Sequence, residues 1–414
     1  MTRVAAPGPS IVPKAGEPAT KTEPTRPGAA PRAWILKSDA PGPEVFGLSG
    51  EARLARSLAR LEIAFGIGQD VPAPAESGTT AIFRADWLYD DRLVTALCGA
   101  QPTLLLSRDG RAVAAHVPDA ALAAARRALL PSPPHDALDG AWRRAGPEQL
   151  VPAYSHELRK RSPALLEPLA GSSPRELEQQ LFDASYKGIT DLVTRYLWPP
   201  LALPAVRACA RVGISPNVVT VTSWLLVLLA GWYFATGRFG PGLVAAWLMT
   251  FLDTVDGKLA RVTLSSSRIG HVLDHGLDIL HPPFWWAAFG LALPSAPWTS
   301  AATAVAVVGY WLHRLVEGLF LAFFKIEIHA WRQLDARFRL ITTRRNPNLI
   351  LLSVGLVAGR PDLGFAALAV WTVVSIAFHT VRLAQAALEV KHGHTVHSEY
   401  QEGAPAPAGS ELSR

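Results

Sequence analysis

Cysteine is almost missing from this chain of 414 residues, and charge is sparse over much of its second half. The two cysteines, Cys98 and Cys209, have no metal-ligand spacing, which excludes a disulfide framework and a cysteine-based zinc site. Residues 1–31 lack an apolar core and are rich in Pro, Ala, Gly and Thr. We therefore expect a disordered tail there and not a signal peptide.

The net charge of +6 is modest, and the basic residues cluster beside apolar segments. This pattern favours a membrane surface over nucleic acid as the partner. Residues 219–390 are mostly apolar, with charges confined to short gaps, and they predict an α-helical membrane bundle. The fifth of its six predicted spans is short for a bilayer of ~30 Å, so its start is left open. The spans are 219–235, 240–255, 271–293, 299–324, 349–358 and 363–388.

Basic residues lie mainly in alternate gaps between these spans, for example Arg207 and Arg211 before the first and Lys258 and Arg261 after the second. Cytoplasmic loops carry an excess of Lys and Arg, so both termini are predicted to be cytoplasmic. The expected location is the cytoplasmic (inner) membrane, with several spans. Residues 190–212 mix aromatic residues, leucines and arginines, which predicts a helix in the membrane interface; a soluble helix with a basic face is the alternative.

The first half of the chain alternates apolar strands with amphipathic helices. Strands are predicted at 33–36, 79–83 and 102–106, and helices at 51–64, 90–98 and 118–130. Such alternation predicts a small soluble α/β domain with a sheet of mainly parallel order. The predicted division is a tail at 1–31, the α/β domain at 32–150, a connector at 151–190 that is helical over 163–185, a membrane domain at 191–392 and a second disordered tail at 393–414.

Four carboxylates stand at fixed spacing beside the second and third spans. Asp253 and Asp256 are i,i+3 on a helix, and Asp274 and Asp278 are i,i+4, so each pair shares a helix face. A carboxylate near hydrocarbon is costly and usually marks a functional site. Two such faces together predict a cage of hard oxygen ligands for Mg²⁺ or Mn²⁺, with two ions expected.

The full pattern reads Asp253-x-x-Asp256-Gly257-x-x-Ala260-Arg261, then eight residues, then Gly270-x-x-x-Asp274-x-x-x-Asp278. It resembles the signature of the CDP-alcohol phosphatidyltransferase family, with no position missing. The resemblance covers roughly residues 190–390. It implies an integral membrane enzyme that moves a phosphoalcohol group from a CDP-linked donor to a hydroxyl acceptor and releases CMP, and it implies a homodimer.

The resemblance also implies roles for single residues. Asp253, Asp256 and Asp274 would be metal ligands, and Asp278 would be the catalytic base that also touches a metal. Gly257 would allow close approach of the nucleotide, and Arg261 would pair with donor phosphate. Ser267 stands where the family often places a hydroxyl that contacts the nucleotide.

A second element supports the resemblance. Pro216-Asn217-Val218-Val219-Thr220 is similar to the P-N-x-x-T segment that opens the first span of the family. There Asn217 and Thr220 would hydrogen-bond the cytidine or its phosphate. Alone the segment is weak, because Pro-Asn is ordinary chemistry at a helix start.

Other polar residues admit two interpretations each. Arg314 in the fourth span could bind an anionic acceptor or pair with Glu317 one turn away. Arg344 and Arg345 could bind acceptor phosphate, although a positive-inside loop is the simpler interpretation. The carboxylates could instead form a salt-bridge network with Lys258, Arg261 and Arg268, a bundle of six spans could be a transporter, and His271, His275 and His281 could bind zinc.

Some members of the family carry a fused cytidylyltransferase, and the amino-terminal domain faintly resembles the sugar-phosphate nucleotidyltransferases. The segment Phe83–Asp90, with Asp86, is similar to their metal-binding segment. The Gly-rich loop is absent, because residues 37–43 read Lys-Ser-Asp-Ala-Pro-Gly-Pro. Such a loop cannot cradle a triphosphate with backbone N–H groups in the usual way, so the resemblance implies a degenerate, non-catalytic copy.

The sequence therefore predicts a metal-dependent CDP-alcohol phosphatidyltransferase of phospholipid biosynthesis. Its donor would be CDP-diacylglycerol, and its acceptor a small hydroxyl compound such as inositol phosphate or glycerol phosphate. Alternatives are a soluble CDP-polyol donor with a lipid or polyol phosphate acceptor, an amino-terminal domain that binds a regulatory ligand or partner, and a non-catalytic membrane scaffold.

Overall fold

The computed structural model describes residues 32–71, 78–130, 132–133, 142–155, 158–265 and 268–400, without the side chains of 268–275, 277 and 278. The predicted tail at 1–31 and most of the tail at 393–414 lie outside the described residues, as does Ser267.

The amino-terminal part is an α/β unit around a sheet of six strands in the order β2-β1-β3-β6-β5-β7. Parallel pairing joins β1 to β2, β1 to β3 and β5 to β7, while β6 is antiparallel to both of its neighbours. The expected sheet of mainly parallel order is therefore corrected to a mixed sheet. The strands of the described residues are β1 (Arg32–Leu36), β2 (Ala64–Gly68), β3 (Thr79–Arg84), β4 (Trp87–Tyr89), β5 (Thr103–Leu106), β6 (Ala112–Pro118), β7 (Arg143–Ala145), β8 (Tyr154–Ser155), β9 (Lys160–Arg161) and β10 (Leu166–Pro168).

The three predicted strands are confirmed, while the helix predicted at 51–64 ends earlier. It ends at Arg60, since Glu62 takes a left-handed φ of 58° and the chain enters β2 at Ala64. Strand β6 was missed because its sequence is rich in alanine, which has little strand preference. The helices of this part are α1 (Gly50–Arg60), α2 (Asp91–Cys98), α3 (Leu122–Ala128), α4 (Pro147–Leu150) and α5 (Pro174–Ala184).

The carboxy-terminal part is helical throughout, and each of the six predicted spans falls on a helix. The fifth begins at Arg345, before the predicted position, which settles the start that was left open. An aromatic core that includes Phe234, Trp285 and Phe289 packs these helices together. The helices are α6 (Trp198–Val212), preceded by a π-helical turn at Val193–Leu197, and α7 (Pro216–Ala235), α8 (Phe239–Val262), α9 (Arg268–Ala292), α10 (Thr299–Phe324), α11 (Gln333–Phe338), α12 (Arg345–Val357) and α13 (Pro361–Lys391).

Three helices of the described residues, α7, α10 and α13, are long and apolar enough to cross a membrane. Their outward faces expose large apolar side chains such as Leu228, Leu315 and Val370, as expected of helices that face lipid. The chain is therefore a membrane protein. The predicted number of six spans is not confirmed, because among the described residues only these three helices combine the length and the apolarity of a span.

The two parts share one apolar core, which differs from the expectation of separate domains with a helical connector. Phe46 and Leu88 of the amino-terminal part and Phe182 of α5 pack in one cluster with Val206 of α6 and Leu259 of α8. Within the predicted connector, β10 pairs with β4 before α5 begins, so only the second half of 163–185 is helical. The amino-terminal part is therefore docked on the helical part.

Hydrogen bonds fix the same interface. Both terminal nitrogens of the buried Arg53 of α1 donate hydrogen bonds to the carbonyl oxygen of Val262 at 2.6 Å. Arg56 donates to the carbonyl oxygen of Thr263 at 2.7 Å. These carbonyls end α8, where cations are favoured by the helix dipole. The amino-terminal part therefore caps the helix that carries Asp253 and Asp256.

The start of the predicted second tail is also corrected. Ser398 is buried and donates its hydroxyl proton to the carbonyl oxygen of Ala330, and the backbone N–H of Glu399 donates to that of Trp331 at 3.0 Å. Ser398 and Glu399 thus hold this part of the chain on the segment before α11.

Candidate functional site

Helix α8 presents its two carboxylates to different neighbours. Asp253 accepts a hydrogen bond from Nη2 of Arg345, the first residue of α12, at 2.6 Å. Asp256 is buried and accepts one from Oγ1 of Thr220 on α7 at 2.7 Å. The P-N-x-x-T segment and the Asp motif, 36 residues apart at these positions, are therefore joined by a direct contact.

A first cavity of about 450 Å³ lies between α7, α8 and the amino-terminal part. Four of the predicted substrate-binding residues line it: Asn217, Thr220, Gly257 and Arg261. Asp256 lines it as well. The wall opposite comes from the amino-terminal part and the segment before α5, and among its members are Arg60, Tyr89, Asp90, Asp91, Arg92, Ser155, Lys160 and Ser162. This space is called the donor cavity below.

A second cavity of about 530 Å³ lies on the other side of α8. It is lined by Asp253 and also by Gly257 and Arg261, which thus face both spaces. A Cβ placed on Gly257 would stand 3.4 Å from Nη2 of Arg261, in the region where the two spaces meet. Among the described lining residues, eight are Lys or Arg and four are Asp or Glu. This space is called the basic cavity; its Lys and Arg residues are Arg159, Lys187, Lys258, Arg261, Arg314, Arg339, Arg344 and Arg345.

One carboxylate organises the deep end of the basic cavity. Glu317 accepts hydrogen bonds from Arg314 at 2.9 Å, from Arg344 at 2.8 Å and from Nε2 of His329 at 2.9 Å. The pairing of Arg314 with Glu317 is thus found, while Arg314 also lines the cavity. Both interpretations of Arg314 are compatible with this geometry.

The same carboxylate belongs to a possible metal-binding group. Ligand atoms of His313, Glu317 and His379 lie within 4.8 Å of one another. However, Nε2 of His313 and Nδ1 of His379 are 2.7 Å apart and hydrogen-bond each other, and Glu317 is already engaged by two guanidinium groups. The donor set is therefore better explained as a polar network than as a cation site.

Burial and neighbouring positive charges lower the pKa values of loop residues that line this cavity. Burial holds the pKa of His329 well below its usual value, so its imidazole is neutral near pH 7. Burial and the neighbouring Arg344 lower the pKa of Arg339 to about 9. Gathering cations in a partly enclosed space is unfavourable unless an anion is present, so this cavity suits an anionic ligand.

The second carboxylate pair falls on α9, whose backbone is helical from Arg268 to Ala292. Asp274 and Asp278 therefore lie one turn apart on one helix, as predicted. Their side chains, like those of His271 and His275, are outside the described residues. His281 is buried with its ring 4.5 Å from that of Trp285, which indicates a packing role.

Lys258, one of the cations considered for a salt-bridge network with the Asp cluster, contacts other groups among the described residues. Lys258 donates to the carbonyl oxygen of Ser185 at 3.1 Å and lies over the ring of Tyr186. Asp253 forms an ion pair with Arg345, which sequence reasoning assigned to a loop. Arg345 begins α12, 92 residues after Asp253, and no spacing in the sequence connects the two residues.

The contribution of the amino-terminal part to the donor cavity was also missed. Arg92 and Lys160 stand in segments of ordinary composition, and no spacing connects them to the Asp motif. Arg53 and Arg56 are separated by two residues on α1 and so share a face, but a basic helix face is usually solvated. Only the docked arrangement of the two parts reveals these roles.

Comparison with known proteins agrees with the motif. Residues 213–335 match the CDP-alcohol phosphatidyltransferase family model. Phosphatidylinositol phosphate synthase of Mycolicibacterium smegmatis is 32% identical over 111 residues, 25% of this chain and 50% of that protein. Archaetidylinositol phosphate synthase of Pyrococcus horikoshii is 35% identical over 88 residues, 21% and 45% of the two chains. Human cholinephosphotransferase 1 is 32% identical over 132 residues, 29% and 31%.

This chain thus spans about half the length, or less, of these curated relatives. Among solved structures, it is similar to the Mycobacterium tuberculosis phosphatidylinositol phosphate synthase with CDP-DAG bound, at 22% identity and a TM-score of 0.36, over 44% of this chain and 94% of that one. The same protein in complex with manganese and citrate gives 22% identity and a TM-score of 0.35, over 44% and 88%.

The matched segment runs from Gly213, at the end of α6, to Asp335 in α11 and includes the Asp motif and the P-N-x-x-T segment. It does not include the α/β unit, so the nucleotidyltransferase resemblance of that unit stays a prediction. Residues 213–335 form a CDP-alcohol phosphatidyltransferase domain.

Proposed function

We propose that this protein transfers a phosphatidyl group from CDP-diacylglycerol to the hydroxyl of an acceptor that carries a phosphate, with release of CMP. Inositol phosphate is the acceptor we propose first, because the relatives from Mycolicibacterium and Pyrococcus are named inositol phosphate synthases. The observation that carries the proposal is the meeting of two cavities at Gly257 and Arg261, beside the Asp motif.

The donor cavity suits the cytidine nucleotide. Asn217 and Thr220 line it, and Thr220 is hydrogen-bonded to Asp256 of the motif. Gly257 leaves space at the wall, and Arg261 offers a planar guanidinium for the diphosphate. We propose that Ser267, beyond the described residues, contacts the same nucleotide.

The basic cavity suits the acceptor. Its excess of cations would balance a phosphate, and Arg314 is a direct candidate for that contact. In this proposal Glu317 holds Arg314 and Arg344 in fixed positions through its hydrogen bonds. The acceptor hydroxyl would then face the phosphates across Gly257.

The donor set of the motif fits a hard divalent cation. We propose that Asp253, Asp256, Asp274 and Asp278 hold two ions of Mg²⁺ or Mn²⁺, since carboxylate oxygens are the ligands these metals prefer. When bound, the metal would neutralise phosphate charge and stabilise the CMP leaving group. The hydrogen bonds from Arg345 to Asp253 and from Thr220 to Asp256 hold these two carboxylates in place.

Proton transfer is assigned to Asp278. A carboxylate near the acceptor hydroxyl can take its proton as the hydroxyl attacks the phosphorus. We further propose that the protein acts as a homodimer in the cytoplasmic membrane, with the Asp motif on the cytoplasmic side. A soluble CDP-polyol donor is not favoured, given the names of the first relatives.

The experiment is CMP release by the purified protein in detergent. The donor is CDP-diacylglycerol, the acceptors are inositol phosphate, glycerol phosphate and inositol, and each is tested with Mg²⁺, with Mn²⁺ and with chelator. Asp278→Asn is the inactive variant. Asp362→Asn, in an exposed ion pair with Arg360 at the start of α13, is the matched control.

The proposal predicts CMP release that needs metal and a phosphorylated acceptor, survives in Asp362→Asn and disappears in Asp278→Asn. Release that is equal with and without acceptor, or that persists in Asp278→Asn, would contradict it.

A further inference from the structure

The amino-terminal part is held at the end of the motif helix by a specific interface. Arg53 and Arg56 of α1 bind the last carbonyls of α8, and a shared apolar core lies beside them. Burial lowers the pKa of Arg53 to about 10, which leaves the guanidinium charged at neutral pH. The wall that this part gives to the donor cavity is therefore set in position relative to Asp256 and Gly257.

That wall carries three cations outside the α8 interface, and two of them are already paired. Arg60 is 3.3 Å from a carboxylate oxygen of Asp91, and Arg92 is 2.8 Å from one of Asp90. Lys160 makes a hydrogen bond to the carbonyl oxygen of Asp183 at 2.9 Å, and among the described residues it has no ion pair. Lys160 is therefore the wall cation most available to a ligand.

The surroundings of Lys160 indicate the charge of that ligand. Burial lowers the pKa of Lys160; Asp183 and Asp90 raise it, while repulsion from Arg92 and from Arg261 across the cavity lowers it. Cations from both parts thus act on one another in a half-enclosed space. An anionic group between Lys160 and Arg261 would relieve this repulsion.

Arg92 supplies a second observation. Its Nη1 atom is buried and has no hydrogen-bond partner among the described residues, although Asp90 engages the other side of the guanidinium. An unsatisfied buried donor is costly, so a ligand acceptor at this position is expected. Arg92 and Lys160 both line the donor cavity.

We propose that the amino-terminal part forms half of the donor site, with Lys160 and Arg92 binding the phosphate or ribose oxygens of a cytidine nucleotide opposite Asn217, Thr220 and Arg261. This inference rests on the proposed function, which places the nucleotide in the donor cavity. The α/β unit then serves as a fixed cover of the transferase site, and the nucleotide is enclosed by both parts of the chain.

The test is CMP binding to the full-length protein in detergent with Mg²⁺, measured by isothermal titration calorimetry. The variants are Lys160→Ala and Arg92→Ala, with Lys160→Arg as the variant that keeps the charge. Lys37→Ala is the matched control, since Lys37 is in the same α/β unit, is half-exposed and lines neither cavity. The apparent melting temperature of each variant without ligand verifies folding.

The inference predicts a Kd for CMP that is about tenfold higher or more in Lys160→Ala, since a hydrogen bond to a charged group contributes about 1.5–3 kcal/mol. Lys160→Arg should recover most of this loss, and Lys37→Ala should not change the Kd. Unchanged Kd values in both Lys160→Ala and Arg92→Ala, with wild-type protein that binds CMP and releases it from the donor, would overturn the inference and leave the proposed function standing.

Wild-type protein that neither binds CMP nor releases it from CDP-diacylglycerol would overturn the proposed function itself, and the inference with it. A second result would also overturn the inference: the melting temperature falls in Lys160→Ala, and the Kd is restored neither in Lys160→Arg nor by added Mg²⁺. That result would assign Lys160 a structural role.

Discussion

The donor cavity and the basic cavity share the wall formed by Gly257 and Arg261, yet they are built differently. The donor cavity is closed by the α/β unit, and two of its cations, Arg60 and Arg92, form ion pairs with Asp91 and Asp90. The basic cavity is lined mainly by the helical part and the loops next to it, and its cations outnumber its carboxylates eight to four among the described residues.

The difference suggests a division of tasks along α8. A nucleotide has a base, a sugar and phosphates, so a mixed lining of carboxylates, hydroxyls and cations can bind it. A small phosphorylated acceptor needs chiefly positive charge. The two carboxylates of α8 follow this division, because Asp256 is held by Thr220 of the donor cavity and Asp253 by Arg345 of the basic cavity.

The largest effect is expected for the proposed catalytic base. Asp278→Asn should lower turnover about 10³-fold, within the range of general base catalysis, and should leave the Kd for CMP nearly unchanged. Stopped-flow or steady-state CMP release measures the first quantity, and calorimetry the second. A variant that turns over normally would remove Asp278 from the role of base.

A large effect confined to the acceptor is expected in the basic cavity. Arg314→Gln should raise the KM for inositol phosphate about 10- to 100-fold, because a charge-assisted hydrogen bond contributes about 1.5–3 kcal/mol. The KM for CDP-diacylglycerol should stay within about twofold. Arg238→Gln, at the start of α8 and outside both cavities, is the control. A change in donor KM alone would refute the division.

The opposite selectivity is expected for Thr220→Val. This substitution keeps the shape of the side chain and removes the hydrogen bond to the buried Asp256, so CMP binding should weaken about tenfold. Thr222→Val on the exposed face of α7 is the matched control, since among the described residues its hydroxyl bonds to the carbonyl oxygen of Val218 and not to a carboxylate. Equal Kd values for the two variants would count against Asp256 as part of the nucleotide site.

The smallest effect on turnover is expected at the interface between α1 and α8, which holds the α/β unit over the donor cavity. Arg53→Ala removes the cap from Val262 and leaves a gap in a buried place, so the apparent melting temperature should fall. Turnover should fall only a few-fold, because both terminal nitrogens of Arg53 are already bonded to the carbonyl oxygen of Val262. A full loss of activity without a loss of stability would mean that Arg53 acts in the reaction itself.

Much of this arrangement could be predicted from the sequence. The Asp motif and the P-N-x-x-T segment are local patterns with fixed spacing, and the helices that carry them begin close to the predicted places. The helical periodicity and the apolar runs also predicted the α/β character of the amino-terminal part and the helical character of the carboxy-terminal part. Such features depend on neighbouring residues only.

The remaining features depend on contacts between distant residues. Arg53 binds a carbonyl 209 positions away, and Arg345 binds a carboxylate 92 positions away. The basic cavity combines residues from the segment before α6, from α8 and from the loops around α11, so its charge excess is not visible in any one stretch. The antiparallel position of β6 is likewise set by tertiary pairing and not by its alanine-rich sequence.

The most direct test of the division along α8 is a measurement of KM for both substrates in Thr220→Val and in Arg314→Gln. The account predicts that Thr220→Val raises the KM for CDP-diacylglycerol alone and that Arg314→Gln raises the KM for inositol phosphate alone. If each substitution raises both values equally, the two cavities do not bind separate substrates, and the account is contradicted.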